Sequence, residues 1–167
     1  MRLLIVRHAA AVPRGTRGLS DSERPLTKQG AADFAKAARG LARVLPRPDV
    51  ILTSPLPRAR QTAEIALAAW KSKVRVVAEG SLAEVAPARV AKALARRRRL
   101  RLVAVFGHEP GVSALLAYLV GADETDALGF KKGGAALVET LDPGQRGSGQ
   151  LIWFLPPKLL STLGGGR

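Results

Sequence analysis

A chain of 167 residues with 47% hydrophobic content is one folded domain with a substantial core, which excludes an intrinsically disordered protein. It has no cysteine and only two histidines, so disulfides, thiolate metal sites and a cysteine nucleophile are excluded, and no metal or other cofactor is expected. The net charge of +14, from 27 Lys and Arg against 13 Asp and Glu, points to anionic partners: phosphorylated substrates, nucleic acid or acidic protein surfaces.

Leu3-Leu4-Ile5-Val6 is a short branched run that reads as a buried strand, and it stops abruptly at Arg7-His8. That interruption leaves no room for the apolar centre of a signal peptide. No stretch approaches the roughly 20 residues that span a bilayer, so a cytoplasmic location without membrane contact is expected. Residues 9–26 form a long loop broken by Pro13, Gly15, Gly18 and Pro25, a length often tied to function. Thr27 then caps a helix whose Ala31, Phe34, Ala35, Ala38, Leu41, Ala42 and Leu45 keep the three-and-four spacing of an apolar face, until Pro46 and Pro48. Val50–Thr53 is a second strand, followed by Ser54-Pro55 and a helix over about 57–70. Val74–Val77 is a third strand, and 78–87 a loop with Glu79 and Glu84. A helix from about Pro87 runs into Arg96–Arg99, a strand covers 102–106, and a helix covers 111–120.

Beyond Gly121 the alternation gives way to two strands, 135–141 and 151–155, joined by the turn-forming Asp142-Pro143-Gly144, which reads as an antiparallel hairpin at the sheet edge. The expected fold is α/β: three αβα layers around a mostly parallel sheet of about six strands with an antiparallel edge. Residues 1–157 form the single domain, and 158–167, with Gly164-Gly165-Gly166, are expected to be a flexible tail.

Ligands of open α/β sheets bind beyond the carboxyl ends of the strands. Three such ends carry chemistry: Arg7-His8 after the first strand, Thr53 to Thr62 after the second, and Gly107-His108-Glu109-Pro110-Gly111 after the fourth. Arg58 falls in the first turn of a helix, where backbone N–H groups already favour an anion. Arginine forks and imidazoles around one point make a phosphoryl site, with phosphate or sulfate as its natural ligand. Without a thiol or an evident metal, a neutral imidazole is the nucleophile that suits phosphorus.

With these residues in place, the chain resembles the histidine phosphatase superfamily, the phosphoglycerate mutase-like fold, and within it the small SixA-type phosphohistidine phosphatases. The matching motifs are Leu4-Ile5-Val6-Arg7-His8-Ala9, Glu23-Arg24-Pro25-Leu26-Thr27 with Gly30, Thr53-Ser54-Pro55 through Arg58-Ala59 and Gln61-Thr62, and Gly107-His108-Glu109-Pro110-Gly111. The resemblance implies that His8 takes the phosphoryl group, that Arg7, Arg58 and His108 clamp its oxygens, and that His108 acts as a donor with a charged form open to it. It also puts Glu84 at the place of the family's acid, with Glu79 and Glu109 as competitors. Ala9 stands where the family more often has glycine, which puts the backbone after His8 in question. The chain lacks the long insertions of the mutases, so an open pocket suited to a protein surface is expected.

Two further residues keep two readings each. Arg24 contributes to the phosphate-binding rim or pairs with Asp21 or Glu23. Ser54 donates to the site or caps a helix. The Arg96–Arg101 run lies at the opposite edge of the sheet and reads as a solvated face, with few aromatics for stacking, so nucleic acid is not the expected partner. The function expected is a metal-independent phosphatase working through a phosphohistidine intermediate on phosphohistidine in a protein. The alternatives are a small-molecule phosphomonoesterase with the same machinery and a basic module that binds phosphorylated ligands or nucleic acid with little catalysis.

Overall fold

Strand β1 (Arg2–Arg7) lies near the centre of a six-stranded sheet of order β3-β2-β4-β1-β5-β6. The computed structural model describes residues 1–123 and 125–165. Strands β2 (Val50–Thr53), β3 (Val76–Ala78) and β4 (Leu102–Gly107) run parallel to β1, whereas β5 (Ala135–Thr140) and β6 (Gly149–Leu155) form the antiparallel edge. This is the expected mixed sheet.

Helices α1 (Lys28–Val44), α2 (Pro57–Ala69) and α5 (Pro157–Gly164) cover one face of it, and α3 (Pro87–Ala95) and α4 (Gly111–Val120) the other. Alternation along the strands builds both layers. Leu4 and Val6 of β1 pack with Phe34, Leu41 and Phe106, while Leu3 and Ile5 pack with Leu94, Leu115 and Leu116. Local chemistry sets the helix ends. The Thr27 hydroxyl accepts from Gly30 N at 2.9 Å, prolines open α2, α3 and α5, and Gly121 at φ +77° closes α4.

Two features differ from the sequence reading. The segment expected to be a tail is α5, and Leu160 is fully buried against the α1 side of the core. Pro157 at its first turn and the Leu159, Leu160, Leu163 spacing make a short apolar-faced helix, which tertiary packing outweighs the flanking glycines to hold. Gly166 lies outside the described residues. Helix α3 stops at Ala95, and Arg96–Arg99 form turns leading into β4 at the edge away from the carboxyl strand ends.

The loop over 9–26 is ordered by its own base. Val12 N donates to the Pro25 carbonyl and Thr27 N to the Ala10 carbonyl, and Ala11 bridges Leu26. Its excursion turns at Gly15 and Gly18, with φ of +78° and +80°, a conformation that glycine adopts without strain.

Candidate active site

Three neighbouring strands bring the site together. Arg7 stands opposite Gly107 in the β1–β4 ladder, and Thr53 opposite Phe106 in the β2–β4 ladder. Pairing continues one residue further: His8 N donates to the Gly107 carbonyl and Ser54 N to the Phe106 carbonyl, each at 2.9 Å. His8, Ser54 and His108 therefore leave the sheet side by side, and Arg58 joins them from the first turn of α2.

The two imidazoles lie with ring centroids 5.0 Å apart. His8 Nδ1 is 2.7 Å from the Ala9 carbonyl oxygen, which can only accept, so Nδ1 carries the proton and Nε2 keeps its lone pair. Burial lowers the His8 pKa to about 4; the Ala9 carbonyl opposes this, while Arg58, Arg7 and Arg24 add to it. Ala9 takes this place without strain, because Lys71 alone among the described non-glycine residues has a positive φ.

His108 is neutral too. Burial, with the nearby His8 and Arg58, lowers its pKa to about 3, so of the two forms open to a donor at this position the free protein favours the uncharged one. Its Nε2 is 2.8 Å from Ser54 Oγ. The fully buried Ser54 thus supports His108, and the cap position of α2 belongs to Leu56, whose N–H donates to the Ser54 hydroxyl at 3.3 Å.

Arg7 and Arg58 are anchored alike. Nη1 of Arg7 donates to the Phe130 carbonyl, and Nη1 of Arg58 to the Asp21 carbonyl at 2.7 Å. Burial lowers both guanidinium pKa values, which start so high that both stay charged. Arg7 Nε, Arg58 Nε and His108 Nδ1 are buried without a partner. Each such atom costs about 1–3 kcal/mol unless a ligand meets it, and all three residues line one cavity of about 380 Å³. A tetrahedral oxyanion supplies the missing acceptors.

The surrounding carboxylates hold this arrangement. Asp21 binds Arg24 Nε and Nη2 at 3.0 and 2.8 Å, Arg14 Nε at 2.9 Å and Arg58 Nη2 at 3.3 Å. Desolvation pushes the Asp21 carboxyl up, but Arg24, through its hydrogen bond and its charge, together with Arg58 and Arg14 outweighs it and holds the group below the usual range. Arg24 is buried, lines the cavity, and also donates from Nη1 to the Val12 carbonyl at 2.6 Å, so the expected pairing with Asp21 is present at the rim of the cavity. Glu109 accepts from Ser113 at 2.8 and 2.7 Å and from Phe130 N at 2.6 Å, and thereby positions the carbonyl that anchors Arg7. Thr62 ties the two halves together: its hydroxyl accepts from Ala9 N at 3.0 Å and donates to the Arg58 carbonyl at 2.6 Å.

Glu84 is not brought into the cavity. It is exposed beyond the short turn Gly80–Ala83 and paired with Arg89 at 2.6 Å. Sequence reasoning also missed Lys132 and Arg14, which line the cavity from loops. No local pattern marks either one, whereas the three-residue spacing of Asp21 and Arg24 does signal their pairing. Among the described residues no group of three or more His, Asp or Glu could hold a metal ion.

Residues 3–89 match the family model of the histidine phosphatase superfamily (branch 1). A candidate phosphohistidine phosphatase SixA from Agrobacterium tumefaciens superposes with a TM-score of 0.80 at 28% identity, covering 93% of this chain and 97% of that one. The protein histidine phosphatase SixA complexed with tungstate gives a TM-score of 0.81 at 26% identity, covering 96% and 99%. An uncharacterized protein of Picosynechococcus is 44% identical over 69 residues, so the aligned stretch spans only 41% of each of the two chains.

Proposed function

Because the chain belongs to the histidine phosphatase superfamily (branch 1) and is a phosphatase, we propose that it works through a phosphohistidine at His8 and that its substrate is a phosphorylated histidine of another protein. In the first step the His8 Nε2 lone pair forms a bond to phosphorus while the substrate's P–N bond breaks. The two electrons leave with the substrate imidazole, which takes a proton from solvent. In the second step water attacks phosphorus, the bond to Nε2 breaks, and phosphate departs with His8 neutral again. Arg7, Arg58 and the Nδ1–H of His108 take up the phosphoryl oxygens, with the Ser54 hydroxyl donating to His108 Nε2. The tungstate bound by the SixA relative, a tetrahedral oxyanion, supports a ligand of this shape.

One observation favours a phosphorylated imidazole over an alkyl phosphoester. Glu109 is the carboxylate lining the cavity among the described residues, and both its oxygens already accept hydrogen bonds. A leaving alkoxide needs a positioned acid, whereas an imidazole leaves with little help.

The test compares kcat/KM for a phosphohistidine-bearing protein with that for sugar phosphates and nucleotides. A preference of at least tenfold for the phosphohistidine protein is expected. A preference for any phosphoester refutes the substrate assignment.

A further inference from the structure

The cavity mouth carries more positive charge than one phosphoryl group can match. Arg7 and Arg58 already balance a dianion, and Arg24 has all three guanidinium nitrogens engaged by Asp21 and the Val12 carbonyl. Arg14 and Lys132 line the same cavity in addition. Arg14 is 79% exposed and meets Asp21 only through Nε, which leaves both of its Nη groups unpaired among the described residues. Lys132 lines the cavity from the loop that precedes β5, is exposed, and makes no ion pair or hydrogen bond among the described residues. Glu109, the one carboxylate lining the cavity among the described residues, is committed to Ser113 and Phe130.

We infer that Arg14 and Lys132 form a second anion subsite at the cavity mouth, which takes an acidic side chain lying next to the phosphorylated histidine of a protein substrate. This rests on the protein-substrate reading above and specifies it. The location decides between an acidic protein surface and a doubly anionic metabolite. Both cations are solvent-facing and sit on long flexible stems, so they reach outward to a surface beyond the cavity rather than inward to a small enclosed ligand. Charges placed so act on encounter and orientation of the partner and are sensitive to salt.

The test uses two synthetic phosphohistidine peptides, one with acidic and one with neutral flanking residues, and the parent protein beside Arg14→Glu and Lys132→Glu. The readout is the ratio of kcat/KM for the acidic peptide to that for the neutral one. Two exposed ion pairs predict a ratio of about five to ten for the parent at low salt. The ratio is expected to fall toward unity in each charge reversal and, for the parent, in about 0.5 M salt. Lys132→Glu is the cleaner variant, since Lys132 has no part in holding Asp21. A parent ratio near unity, or one that survives both reversals, overturns the inference. A carboxylated small phosphoester that shows the same charge-dependent advantage over a neutral one overturns the assignment to a protein. No hydrolysis of either peptide by the parent defeats the protein-substrate reading and this inference with it, whereas hydrolysis without charge preference defeats this inference alone.

Discussion

Replacing Thr62 by valine removes one hydroxyl and keeps the shape of a fully buried side chain. The Ala9 N–H, which donates to that hydroxyl at 3.0 Å, is then buried without a partner. The Arg58 carbonyl keeps its helical partner, so a single orphaned donor dominates, at about 2 kcal/mol. With a urea slope near 2 kcal/mol/M, the unfolding midpoint falls by about 1 M. Activity should suffer separately, because the Ala9 carbonyl fixes the tautomer of His8 and Thr62 links it to the start of α2. A displacement of about 1 Å between His8 and Arg58 lowers kcat by roughly 10- to 100-fold. Thr62→Ser keeps the hydroxyl and should recover most of kcat while losing the stability of one methyl group. Urea titrations and steady-state phosphate release check both parts. A Thr62→Val protein with the parent's midpoint and kcat refutes this account of how His8 is held.

Stability should depend on pH through His8. Its folded pKa of about 4 lies below the unfolded value of about 6.5, so the unfolded chain binds more protons between them. The contribution is complete above pH 6.5 and is lost as the pH falls toward 4, on the order of 3 kcal/mol; urea midpoints from pH 7.5 to 4.5 should show it, with a shallower slope in His8→Gln. Glu84→Gln should change kcat by less than about twofold. Glu109→Ala should lower kcat about tenfold by releasing Phe130 and with it Arg7, and steady-state assays of both variants decide which carboxylate matters. Leu160→Ala should cost about 2–5 kcal/mol by opening a cavity between α5 and α1, read as a lowered urea midpoint.

The parts of this site that the sequence exposes are those set by local pattern. Apolar runs that stop at Arg7-His8, Ser54 and Gly107-His108 mark strand ends, and parallel pairing alone brings such ends together. Pro57 and the residues after it place Arg58 in a first helical turn. What escapes the sequence depends on contacts between distant segments. Glu109 gains its role from Phe130, 21 residues away, and Asp21 from Arg58, 37 residues away. The family likeness points to Glu84 by position along the chain, but the nearby Arg89 holds that carboxylate at the surface. Helix α5 is hidden because its glycines read as a flexible end, while burial of Leu160 against α1 decides the outcome. The neutrality of His108 follows from burial beside two arginines and a second imidazole, which no motif records.

The central claim is that phosphate passes through His8. Rapid quenching of the parent with a radiolabelled phosphohistidine protein, followed by peptide mapping under alkaline conditions, measures it directly. The account predicts acid-labile label on the peptide containing His8, formed before free phosphate appears and absent from His8→Ala, which releases no phosphate. Label on any other residue, or phosphate release that persists in His8→Ala, contradicts it.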